Sequence, residues 1–208
     1  MVSGSGRVFA FEPLPANLEA LRNLNVLNRW DNVHILPYAL GEKDMRLTFA
    51  LPPDKHTSGV GYIVRGKNAN KAQTIEVQCR PLDSFAVQIG PTKAIFCDAE
   101  GAETTILRGA SQLLARHKPV LVLEASPKLL VRAGSTLSEL HQTVSSFGYR
   151  AFVVGRFALK PVTDLAQTNA RNWFCVHGSL SNLVGRASFS IAKCGIMPCL
   201  RGLNPLCK

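Results

Sequence analysis

Nothing in the sequence approaches the roughly 18 consecutive apolar residues that a bilayer span requires, and Met1-Val2-Ser3-Gly4-Ser5-Gly6 holds no apolar segment of a signal peptide. A soluble, cytoplasmic chain is expected. Acidic residues are few, 14 against 24 lysines and arginines, and none follows Asp164, so residues 165–208 carry basic charge alone. A net charge of +10 permits attraction to anionic partners. No run of five like charges occurs, however, and basic residues are not interleaved with aromatics, which argues against nucleic acid. The six cysteines include no C-x-x-C pair, and Cys194, Cys199 and Cys207 lack a nearby histidine pair, so free thiols and no metal site are expected.

What is present is an apolar fraction of 46% in 208 residues, enough for the core of one domain. Arg7–Phe11 reads as a buried strand ending at Glu12-Pro13. Leu18, Leu21, Leu24 and Leu27 then give a helix an apolar stripe, and Asn32–Leu36 supplies a second strand. Residues 46–80 break this rhythm: Arg46–Leu51 and Thr74–Cys79 read as antiparallel strands separated by Pro52-Pro53, Ser58-Gly59 and Gly61. The α/β alternation resumes with a strand at Lys93–Cys97. The next helix carries Ile106, Leu107, Ala110, Leu113 and Leu114 on one face. Val120–Glu124 is a further strand, Leu137–Phe147 a helix closed by Gly148, and Ala151–Val154 and Trp173–Val176 are two last strands. The expected fold is α/β, a mostly parallel, doubly wound sheet with an antiparallel end over residues 1–177. Residues 178–208 read as a basic C-terminal extension, either disordered or added to the fold.

Three strands end in a carboxylate: Glu12, Asp98 and Glu124. In open α/β sheets ligands bind outside the carboxyl ends of strands, which would collect these side chains along one crevice. A carboxylate there can accept hydrogen bonds from the two hydroxyls of a ribose, the role considered for Glu12 against that of a solvated turn residue. Asp98-Ala99-Glu100-Gly101-Ala102-Glu103 gathers three acids around one glycine where a strand becomes a helix. Acids in a first helical turn are stabilised by about 0.3–1 kcal/mol each, which accounts for any one of them better than for all three. Clustered carboxylates could orient a hydroxyl or amine, take its proton, or hold a hard cation. His34 and His141 are other candidate bases.

The ordered series Val8-Phe9-Ala10-Phe11-Glu12-Pro13, Asn17, Leu21, Asn25, Asn28, Asn32-Val33, Ala39-Leu40-Gly41, Leu82-Asp83, the 98–103 segment, Leu107-Arg108-Gly109-Ala110 and Glu124 resembles the FkbM family of S-adenosylmethionine-dependent methyltransferases. The resemblance covers roughly residues 6–125, with weaker similarity through Val176. It implies a class I, Rossmann-like methyltransferase fold that binds S-adenosylmethionine and methylates an oxygen of a sugar or natural-product-like molecule. It places Glu12 at the ribose, Ala39 and Leu40 near the adenine in a loop, Asp98, Glu100 and Glu103 at the reacting centre, and Glu124 at the substrate. Two departures stand out. The family's Asp-x-Gly-Ala-Asn-x-Gly turn on the first, central strand has no counterpart ahead of Glu12, and Gly4-Ser5-Gly6 does not replace it. Phe96 stands where the family usually has lysine. The partner expected is a small-molecule or glycan acceptor, and the oligomeric state is unassigned. The competing reading is a non-catalytic remnant of the fold that binds an anionic partner.

Overall fold

The computed structural model describes residues 6–51, 62–63, 73–154, 158–163, 165 and 172–188. Pro52-Pro53, Ser58-Gly59, Gly61 and the cysteines at 194, 199 and 207 lie outside them. The chain forms two compact units, one running to Gly90 and taking in Arg108–Ala110, the other formed from Pro91 onward.

The first unit opens with β1 (Val8–Phe11), α1 (Pro15–Asn28) and β2 (Val33–Leu36), with β1 and β2 paired in parallel from Val8↔Val33 to Phe11↔Leu36. Pro15 starts the helix where a missing N–H costs nothing, and Arg29 ends it in the left-handed region at φ 53°. The expected leucine stripe is only partly used. Spacing by three in a helix of 3.6 residues per turn rotates each leucine by about 60° from the last, so the row winds off the face. Leu18 is buried and Leu27 is 77% exposed.

A second sheet contains β3 (Ala39–Leu40), β4 (Met45–Ala50), β5 (Tyr62–Ile63) and β6 (Thr74–Arg80), in the order β3-β6-β4-β5. The β4–β6 pair is antiparallel from Met45↔Cys79 to Ala50↔Thr74, as the sequence pattern indicates. Val77 and Cys79 are buried with Ala39, while Glu76 and Gln78 face water. A short helix, α2 (Ala86–Ile89), follows a 3-10 turn at Leu82–Phe85. Two glycine-bearing segments meet the Cys79–Asp83 stretch here. A Cβ on Gly109 would collide with the Gly41 carbonyl, a Cβ on Gly41 would lie 2.7 Å from the Cys79 sulfur, and the Asp83 N–H donates to the Gly109 carbonyl at 2.9 Å.

In the second unit, β7 (Ala94–Cys97) leads through α3 (Glu103–Arg108) and α4 (Ser111–His117) to β8 (Val120–Glu124). The single helix expected from Ile106 to Leu114 is broken at Gly109-Ala110, yet Ile106, Leu107, Ala110, Leu113 and Leu114 are all buried. From β8 the chain passes through α5 (Pro127–Arg132) and α6 (Leu137–Ser146) to β9 (Tyr149–Val154), then β10 (Leu159–Pro161) and β11 (Asn172–His177). Thr136 caps α6 by accepting the Glu139 N–H at 3.1 Å, and Gly148 follows it at φ 79°.

The sheet order is β10-β9-β11-β8-β7. The β7–β8 pair is parallel, and β8 and β9 both run antiparallel to β11, so β7, β8 and β9 point the same way with β11 inserted against them. The expectation of one mostly parallel sheet with its antiparallel part at the end is corrected in two respects. The antiparallel strand β11 lies inside the sheet, and no described ladder joins β1–β2 to β7. Beyond His177, residues 182–188 are helical, and Leu183, Val184 and Ala187 pack against Phe152, Leu159 and Val176. Among the described residues no helix is long and apolar enough to cross a membrane.

Candidate active site

Glu12 stands directly after β1, half-buried, and its Oε1 accepts the Leu14 N–H at 2.8 Å. One oxygen thus shapes the turn into α1, and the other has no hydrogen-bond partner among the described residues. A carboxylate so held at the carboxyl end of a parallel strand fits a ribose diol. Ala39 and Leu40 are placed differently from expectation. They form a strand rather than a loop, pairing with Cys79 and Arg80 in β6, and the Ala39 side chain is in the core. Beside them the Tyr38 and Phe85 rings meet tilted at 46° with centroids 5.3 Å apart, and the Arg80 guanidinium lies 4.9 Å from the Phe85 centroid and 5.5 Å from that of Tyr38.

The carboxylates of the second unit do converge. Asp98 follows β7 and Glu124 ends β8; the Cys97↔Leu123 register sets the two acids side by side. Burial first, then the charge of Asp98 and a hydrogen bond to its carboxylate, push the Glu124 carboxyl up to about 7. That bond requires a proton, because two ionised carboxylates only accept. Glu124 Oε2 is occluded from solvent and meets no donor, which also disfavours the ionised form. Glu124 therefore keeps its proton up to near neutrality, with the Asp98 carboxyl beside it.

Glu100 and Glu103 occupy opposite sides of the turn between β7 and α3. Glu100, at φ 53°, accepts from Arg132 Nη2 at 2.9 Å near the surface. Glu103 is 1% exposed, and its Oε1 accepts the N–H groups of Ala99 at 2.8 Å and Gly101 at 3.3 Å. Burial raises its pKa and these bonds oppose the rise. Glu103, expected at the reacting centre, is placed beneath the turn and braces it. Gly101 has φ 102°, and a Cβ there would strike the Leu129 carbonyl of α5, so this position requires glycine. Burial and the neighbouring carboxylates drive the Cys97 thiol far up, which makes it inert.

Among the described residues, no three His, Cys, Asp or Glu side chains converge as ligands of a metal ion. His34 stacks on Phe9 at 4.8 Å and His141 packs edge-on to Trp173 at 5.8 Å, both as packing groups. A groove of about 540 Å³ lined by Met45, Arg46, Glu76, Val77 and Gln78 contains none of the residues singled out from the sequence.

The sequence profile described as the methyltransferase FkbM domain matches residues 1–151. The chain belongs to the FkbM methyltransferase family. No curated protein matches it significantly. One solved structure, described as the crystal structure of methyltransferase FkbM from Methylobacillus flagellatus KT, is similar at 17% identity and a TM-score of 0.48. The match covers 82% of this chain and 36% of that one, so this FkbM family chain spans little more than a third of that structure's length.

Proposed function

We propose that the chain is an S-adenosylmethionine-dependent O-methyltransferase whose acceptor is a hydroxyl on a sugar-like or natural-product-like small molecule. The observation that carries this reading is the Asp98–Glu124 pair, two carboxyls side by side at adjacent strand ends in a member of a methyltransferase family. S-adenosylmethionine, when bound, supplies a methyl carbon to which the acceptor oxygen bonds as the carbon–sulfur bond breaks. Glu12 would hold its ribose through the oxygen not spent on the Leu14 N–H. The acceptor proton passes to a carboxylate of the pair. Glu103 keeps the 98–102 turn in place, and the Arg132–Glu100 ion pair ties its outer side to α5.

The test is calorimetric titration of the protein with S-adenosylhomocysteine, followed by transfer of a labelled methyl group to a panel of hydroxylated acceptors. Saturable binding weakened by Glu12→Ala is expected, and Asp98→Asn and Glu124→Gln should keep that binding while slowing transfer by about 10²–10⁴-fold. A folded sample that binds no S-adenosylhomocysteine overturns the reading.

A further inference from the structure

The ladder of the five-stranded sheet arranges side chains in rows. Phe96 is opposite Val122, and Val122 is opposite Phe174. Two residues further along β7 and β8, and two residues back along the antiparallel β11, come Asp98, Glu124 and Asn172, with Glu124 and Asn172 directly paired. Residues two apart share a face, so an apolar row lies next to a polar row on the same side of the sheet. The other side is filled: Cys97, Leu121, Leu123, Trp173 and Cys175 are all buried. Toward β9 this side is covered, Phe152 and Val176 being buried under Leu183, Val184 and Ala187, but toward β7 it is open, with Phe96 79% exposed, Asp98 and Asn172 exposed, and Val122 and Phe174 half-buried.

Directly paired residues bring their Cβ atoms within about 5 Å, so an oxygen reaching the Asp98–Glu124 pair also comes within reach of the Asn172 amide. Ionised carboxylates cannot donate a hydrogen bond, whereas an asparagine amide donates at every pH. Asn172 is therefore the neutral donor of its row, suited to an oxygen that is losing its proton to a neighbouring acid. The acidic row disfavours anionic molecules, and the exposed Phe96 row offers a flat apolar bed.

Resting on the methyltransferase reading, we propose that the acceptor is an uncharged hydroxylated aromatic ring. It lies on Phe96, Val122 and Phe174, and its reacting oxygen accepts a hydrogen bond from the Asn172 amide while Asp98 or Glu124 takes its proton. Asn172 thereby becomes a substrate-contacting residue that sequence inspection does not single out.

The experiment uses 4-nitrocatechol, added at pH 5 where it is uncharged and then titrated upward, so that its absorbance reports both binding and the ionisation of its hydroxyl, with the full chain saturated with S-adenosylhomocysteine. Methyl β-D-glucopyranoside is the competitor without an aromatic ring. Loss of one hydrogen bond and of one stacking partner is expected to weaken nitrocatechol binding about tenfold each in Asn172→Ala and Phe96→Ala. Asn172→Ala should also raise the pKa of the bound phenol, which a merely structural residue would not do, and Asn172→Gln should restore part of the loss. Both parent side chains are exposed, so melting temperatures should stay near wild type. Nitrocatechol binding unchanged by Asn172→Ala, or displacement of nitrocatechol by the glucoside with equal affinity, overturns the proposal. Failure to bind nitrocatechol while S-adenosylhomocysteine still binds overturns it alone. Failure to bind either overturns the methyltransferase reading as well.

Discussion

Replacing Glu124 by glutamine should change how the protein's stability depends on pH, in a direction fixed by the acid pair. In the unfolded chain this carboxyl titrates near its ordinary value of 4.5, and in the folded protein near 7. Between those values the folded state binds the extra proton, so stability falls as pH rises. The contribution is fully present below pH 4.5 and is lost once pH passes 7. At about 1.4 kcal/mol per unit, the loss is on the order of 3 kcal/mol. For a chain of this size each kcal/mol moves the melting temperature by about 2–4 °C, giving on the order of 10 °C between pH 4.5 and 8. Glutamine is neutral at every pH and donates to Asp98 through its amide, so the variant should lack this part of the slope. Asp98, Glu103 and Glu100 all bear on Glu124, and Arg132 offsets the charge of Glu100. Because other groups also titrate, the quantity to measure is the difference in melting temperature between wild type and Glu124→Gln at several pH values. The variant should gain steadily on wild type from pH 5 to pH 8. A difference that stays constant across that range refutes the raised titration of Glu124.

Further outcomes follow from the same geometry. Gly109→Ala drives a methyl group into the Gly41 carbonyl and should cost about 1–3 kcal/mol, whereas Gly185→Ala, in the 182–188 helix with nothing within 4 Å of the new Cβ, should stabilise by about 0.5–1 kcal/mol. Thermal melts of the pair check both signs, and equal effects would contradict the packing described. Glu103→Ala strips the acceptor from the N–H groups of Ala99 and Gly101 and should lose about 1–3 kcal/mol more than Glu103→Gln in urea denaturation, since glutamine keeps a carbonyl there. Cys79, Cys97 and Cys175 are buried with raised pKa values, Cys175 up to about 12, so native protein at pH 8 should leave all three unlabelled by a thiol reagent. Peptide mapping that finds Cys97 modified before unfolding would count against the buried placement.

Much of the secondary structure was legible because local pattern and tertiary role agree. The alternation of Ile75, Val77 and Cys79 with Glu76 and Gln78 indicates a strand with one wet face, and β6 has one. Thr136 and Glu139 open α6, and Gly148 follows its end, by capping rules that need only neighbouring residues. The misses are those where distant contacts decide. Ile106 to Leu114 has the period of one continuous helix, but the backbone at Gly109 lies against Gly41, and the helix breaks there. Ala39-Leu40 is too short to announce a strand, and it is one because β6 lies alongside it.

The site shows the same division more sharply. Glu12, Asp98 and Glu124 are legible because each ends an apolar run, and the sequence itself marks where strands stop. The difference between Glu100 and Glu103 is not legible, since both belong to one acidic segment and only the turn, with Glu100 at φ 53° and Gly101 at φ 102°, sends one carboxylate to Arg132 and the other inward to the backbone. Asn172 is harder still. Nothing adjacent to it in the chain bears on the acids at 98 and 124, and it reaches their row only because β11 inserts antiparallel beside β8 in the register that sets Asn172 against Glu124. A slip of one residue would turn Asn172 to the other face and bring Trp173 out of the core. Trp173 is fully buried, with the His141 ring against it, so the packing that holds the indole also fixes the amide at the end of the acidic row.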